Sequence, residues 1–205
     1  MLDFYVFTDW SATLKSEEIK RNFSFMYEDK NGRLIFHARY GNCYEGSNPN
    51  TAHAAYFMLV DEEFRQAVKF LRDRMGENIT MCMNKQPGLH TSVTYHKGPR
   101  VRQSPCFKRL VYAISSHGIK LTVNLCQLSR VDVNMQPPSP SLNNDIQNAR
   151  QGMQMMMSAG IELKAMNEES WRKLAGYANI ILPEYIDGDR QKLDQHIEEF
   201  LQGIK

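Results

Sequence analysis

Between Asn78 and Val131 the chain carries eight Lys or Arg and no Asp or Glu: Lys85, Lys97, Arg100, Arg102, Lys108, Arg109, Lys120 and Arg130. A one-sign run of this length is the electrostatic footprint of a surface for a polyanion. His90, His96 and His117 could add charge, and Tyr95 or His96 could stack on bases or sugars. The formal charge of the whole chain is only +2, so the rest is net acidic. A solvated basic face that neutralises the acidic C-terminal tail, in cis or in a partner, fits the same composition.

Other reactive side chains are dispersed. Cys43, Cys82, Cys106 and Cys126 form no CxxC pair and read as reduced, buried thiols rather than as a metal or disulfide framework. G-x-S-x-G, Walker A, H-E-x-x-H and G-x-G-x-x-G sequences are absent. His196, Glu198 and Glu199 fall on a solvated helix face, and His37 and His53 read as structural.

The elements that must position these groups follow from periodicity. Asp3 to Thr8 is an aromatic, β-branched run expected as a strand. Phe23, Phe25 and Tyr27 alternate with Ser24 and Met26, Leu34, Phe36, Ala38 and Tyr40 alternate with Ile35, His37 and Arg39, and Asn31-Gly32 between them marks a hairpin. From Thr51 the spacing becomes helical through Tyr56, Val60, Phe64 and Leu71, with Asp61 a possible cap of a second piece. Ile79 to Met83 and Leu121 to Leu125 are further strands, and Phe107 to Ile114 is a helix with Gly118 just past its end. Gln86 to Pro105 is expected to be irregular, and the proline-rich Asp132 to Asn144 a rigid crossover. Asp145 opens the next helix, Asn167 caps another, and Asp187 to Lys205 forms an acidic amphipathic one.

The chain's 205 residues, 42% hydrophobic and 10% aromatic, suffice for one domain with its own core plus a small appendage and exclude collagen, a long coiled coil and a disordered chain. Nothing approaches the run of roughly 18–20 apolar residues of a membrane span. A soluble, cytoplasmic protein without membrane contact is expected.

The order of elements resembles the ribonuclease H-like fold. The likeness rests on TDWSA (Thr8 to Ala12) with the hairpin after it, on FKRLVYAISSHGIKLTVNL (Phe107 to Leu125), and on NNDIQNAR (Asn143 to Arg150). It implies an α/β domain over residues 1–160, with a five-stranded mixed sheet flanked by helices, and a helical extension over 161–205. It also implies a site of four carboxylates that hold two divalent cations, Mg²⁺ or Mn²⁺, for phosphodiester cleavage. Asp9 and Asp145 match two of these as catalytic and metal residues. Ala55, Tyr56 and Phe57 stand where a helical glutamate should be, and Met83, Asn84 and Lys85 where the fourth-strand aspartate should be.

The expectation is therefore a ribonuclease H-like module with a degenerate active site. It would bind RNA or an RNA/DNA hybrid through Lys97, Arg100, Arg102, Lys108 and Arg109. An active metal-dependent ribonuclease is one alternative. The other is a non-catalytic subunit that docks a protein partner through its C-terminal helices.

Overall fold

The computed structural model describes residues 22–28, 34–41, 58–59, 61–72, 78–83, 93–94, 101–102, 106–118, 120–128, 140–178 and 188–205. The expected strand Asp3 to Thr8 lies outside them. Strands β1 (Asn22–Glu28) and β2 (Leu34–Gly41) pair antiparallel, with Phe25 opposite Ala38. Helix α1 (Glu62–Arg72) leads to β3 (Asn78–Met83), and a two-stranded ribbon follows, β4 (Val93–Thr94) with β5 (Val101–Arg102). Then come α2 (Cys106–His117), β6 (Lys120–Leu125), α3 (Pro140–Ser158) and β7 (Glu162–Ala165). Helices α4 (Glu168–Ala178) and α5 (Gly188–Gly203) close the chain.

The main sheet has the order β2-β1-β3-β6-β7. β3, β6 and β7 run parallel, and β1 is antiparallel to both of its neighbours. Each parallel pair needs a crossover, and α2 and α3 supply them. The fold is thus mixed α/β, as the sequence implies at that level.

The ribonuclease H-like sheet itself is overturned. That reading made the Asp3 to Thr8 run the first of five strands and Leu121 to Leu125 the last. The sheet instead reaches five strands entirely within residues 22–165. β1 is hydrogen-bonded directly to β3, with Phe23 opposite Met83 and Tyr27 opposite Ile79, so no strand stands between hairpin and β3. The fifth strand is β7, in the part expected to be a helical extension, and it pairs with β6 from Thr122–Glu162 to Leu125–Ala165.

Alternation along the strands sorts residues to two faces. Ile79, Met81 and Met83 of β3 and Leu121, Val123 and Leu125 of β6 point into one core with Phe64 and Val68 of α1, Phe107 and Leu110 of α2, and Met153 and Met156 of α3. Cys82 and Asn124, opposite each other in the β3–β6 register, face the other way. There Asn124 Nδ2 donates to Ser170 Oγ at 3.0 Å, which draws α4 over that second face with Trp171, Leu174 and Ala175 buried.

Helix ends follow local chemistry. Asn167 caps α4, its Oδ1 accepting the Ser170 N–H at 2.8 Å. Gly118 ends α2 in the left-handed region (φ 64°), its N–H on Ile114 O at 2.8 Å, as the sequence indicates. Gly160 (φ 87°) ends α3 with the paired bonds of a Schellman motif, Gly160 N to Met157 O and Ile161 N to Met156 O. α3 starts at Pro140, five residues before the expected Asp145. Proline's fixed φ and missing N–H suit a helix's first position, so Pro140 opens the helix instead of preceding it.

Two measurements check this account. No atom lies within 4 Å of a Cβ added at Gly160 or Gly176, so substitution there tests backbone conformation alone. Gly160→Ala should cost about 1 kcal/mol and Gly176→Ala, within α4, should gain about 0.5–1 kcal/mol, read from urea midpoints. Burial pushes the Cys82 thiol up from 9.0 to about 12, against a lowering by its hydrogen bond with Asn124. The unfolded chain then releases that proton near pH 9 while the folded chain keeps it. Stability is full below pH 9 and should fall by up to ~1.4 kcal/mol per unit above it, a slope that Cys82→Ala removes between pH 9 and 10.

Candidate functional site

In a parallel sheet, ligands gather where strands end at their carboxyl termini and helices begin. Here that end is marked by Met83 and Leu125: the Cys126 N–H donates to Met83 O at 2.8 Å, tying β6's end to β3, and the Met166 N–H donates to Leu125 O at 3.0 Å, tying β7's end to β6. α2 runs back from the ribbon to β6, so its first turn, Cys106 to Arg109, opens toward this end. Phe107 and Leu110 anchor the turn in the core at 0% and 2% exposure. Lys108 is exposed and Arg109 half-buried.

The electrostatics of that turn run against helix preference. α2 has no acidic residue in its first turn, and two cations stand at the positive end of its macrodipole. Each costs typically 0.3–1 kcal/mol, and both add to the attraction of an anion. Beyond α2, Tyr40 ties β2 to α1. Its hydroxyl donates to Asp61 Oδ2 at 2.5 Å, and Asp61 Oδ1 accepts the Glu63 N–H at 3.0 Å as the helix cap. Burial first, then the bond to the Asp61 carboxylate and the negative charges of Asp61 and Glu63, hold the Tyr40 hydroxyl well above the usual phenol range. It stays a donor throughout the working pH range.

The residues singled out from sequence are scattered. Asp9, Lys97 and Arg100 lie outside the described residues. Arg102 is on β5 in the separate ribbon, which occupies part of the stretch expected to be irregular. Only Lys108 and Arg109 come together, on α2. Asp145 lies in the second turn of α3, not at its opening. Among the described residues no three His, Cys, Asp or Glu gather into a metal-holding group. An apolar void of about 20 Å³ among Met58, Phe64, Met81 and Leu110 is a packing defect with no polar wall. No described helix is long and apolar enough to cross a membrane.

Comparison with known proteins points away from a nuclease. The family model described as an APOBEC4-like AID/APOBEC deaminase matches residues 15–99, under half of the chain. Among solved structures, a C-terminal deletion mutant of the Rib2 deaminase from Aspergillus oryzae aligns at 11% identity. The alignment covers 87% of this chain and 84% of that one, with a TM-score of 0.37, too loose to carry an argument. No curated protein matches the chain.

The family match overturns the ribonuclease H-like assignment and, with it, the degenerate ribonuclease H-like binding module, the magnesium-dependent ribonuclease and the Mg²⁺ or Mn²⁺ cofactor. The first-strand aspartate, hairpin and late carboxylate that suggested them are common to many α/β chains. The match takes in His53, which reads as structural from sequence, and stops short of Cys106, which reads as a buried thiol. The available signal was Pro105-Cys106 at the head of a helix.

The Tyr40–Asp61 link gives a test by double-mutant cycle. Asp61→Ala removes a cap and leaves a half-buried hydroxyl without its acceptor, and should cost about 2–3 kcal/mol. Tyr40→Phe should cost about 1 kcal/mol, and the double variant less than the sum, measured by urea unfolding.

Proposed function

We propose that the chain is a nucleobase-deaminase-like domain that engages a base presented on single-stranded nucleic acid. The observation that carries this reading is the deaminase family match over residues 15–99, the span of the hairpin, α1 and β3. A second supports it. Zinc-dependent nucleobase deaminases carry an H-x-E sequence and a P-C-x-x-C sequence, and this chain has His53-Ala54-Ala55 and Pro105-Cys106-Phe107-Lys108-Arg109, with Cys106 the first residue of α2.

Such domains bind zinc through one His and two Cys. The residues here do not fit that ion. His53 and Cys106 are two donors of the three, Arg109 stands in place of the second thiolate, and Ala55 in place of the glutamate that would move protons. Arginine is a fixed cation and cannot ligate a metal. No deamination step is therefore derived.

What the chain's own residues can do is bind. Lys108 and Arg109 at the α2 N-terminus offer phosphate contacts, with the remaining cations of the acid-free segment available to extend the track. Single strands are favoured because a base must leave its stack to enter a deaminase-type pocket, and unpaired bases do so at least cost.

The test is binding of the whole chain to single- and double-stranded RNA and DNA of equal length over a salt series. Single strands should bind tighter, with log affinity falling linearly in log salt. Lys108→Glu should weaken binding and reduce the salt slope by about 1 if it removes one phosphate contact, and should raise fold stability by a few tenths of a kcal/mol through the helix dipole. Duplexes bound as tightly as single strands, or no binding at all, would overturn the proposal.

A further inference from the structure

We infer that the pocket which holds zinc in deaminases is metal-free in this chain, so that the domain engages nucleic acid without converting its bases. The inference rests on the deaminase-like reading above and deepens it. Three observations carry it. First, Arg109 follows Cys106 by three residues on a regular helix, one turn along, where a second thiolate would complete the donor pair. A guanidinium there repels a dication and offers no lone pair. Second, neither of the next two positions of α2 repairs the set. Leu110 and Val111 are apolar, Leu110 is buried in the core, and α2 has no acidic residue in its first turn. Third, neither of the free, buried thiols Cys82 and Cys126 lies on α2 to complete the pair. Cys82 faces the α4 side beside Asn124, its proton held by burial, while zinc needs the thiolate. Cys126 is buried past the end of β6, its N–H bonded to Met83 O.

The loss extends beyond the metal. With Ala55 at the glutamate's place the chain has no general acid or base at that position, so even a weakly held ion would lack the group that shuttles protons.

The experiment is metal analysis of the full chain, produced in zinc-supplemented medium, beside Cys106→Ala. The quantity read is the difference in zinc per chain between the two proteins. No difference is expected, and a difference approaching one zinc per chain would overturn the inference while leaving the fold reading intact. A second arm restores the motif with Ala55→Glu and Arg109→Cys together. That variant should gain about one zinc per chain, lost again on adding Cys106→Ala. If it keeps the wild-type melting temperature and near-ultraviolet spectrum yet gains no zinc, the deaminase-like reading fails and this inference falls with it. Cytosine-to-uracil conversion by the wild-type chain with added zinc, measured on the same oligonucleotides, should be indistinguishable from a blank, and turnover above it would also overturn the inference.

Discussion

The parallel ladder between β3 and β6 is the constraint on which the rest of the molecule depends. Six consecutive residue pairs, Asn78–Lys120 to Met83–Leu125, fix it. Neighbouring parallel strands cannot be joined by a tight turn, so the chain must travel over the sheet to return, and α2 is that return path. Phe107, wholly buried, pins the helix to the strands below it. The same requirement recurs one strand on, where β6 and β7 demand α3, and α2 and α3 pack side by side. The head of α2 therefore cannot wander from the carboxyl ends of β3 and β6.

Around that ladder the flanking elements solve two different problems. The antiparallel hairpin extends the sheet on one side, locked at its far end by Tyr40 and Asp61. On the other side β7 would be left with open backbone donors, and α5 answers this: the Glu198 carboxylate accepts the Ala165 N–H at 3.1 Å. α5 is in turn held to α3 by Gln154 on the Ile204 carbonyl and by Arg150 over the Phe200 ring. The C-terminal segment is thus bound into the domain by its strand, its helix and a shared core.

Much of the element inventory was legible in sequence, because strong periodicity and capping chemistry are local. The Phe23 to Tyr40 hairpin, the strands at Ile79 and Leu121, the Gly118 stop and the Asn167 cap follow from spacing and residue type alone. β7 was not legible: Glu-Leu-Lys-Ala is short, half polar and made of poor strand formers, and only the open edge of β6 makes it a strand. Nor could spacing say which strands are neighbours, so the same string of elements fitted a sheet built around Asp3 to Thr8. The site was half visible. The basic run was plain, but spacing could not bring its cations together, and of the five named from sequence the structure joins only Lys108 and Arg109, on α2.

The core described above is built to an unusual degree from methionine. Met58, Met81, Met83, Met153, Met156 and Met166 are all buried, on strands, helices and a loop alike. Thioether chains fill irregular space and adjust to their neighbours, so one residue type serves strands, helices and a loop in the same core. The same chemistry sets a vulnerability. One added oxygen turns such a chain polar in a place with no partner for it, so peroxide damage to the interior would act as a set of buried, unsatisfied acceptors. Met155, exposed on the outer flank of α3 beside Met153 and Met156, meets an oxidant before they do and can carry a sulfoxide into water at little cost to the fold.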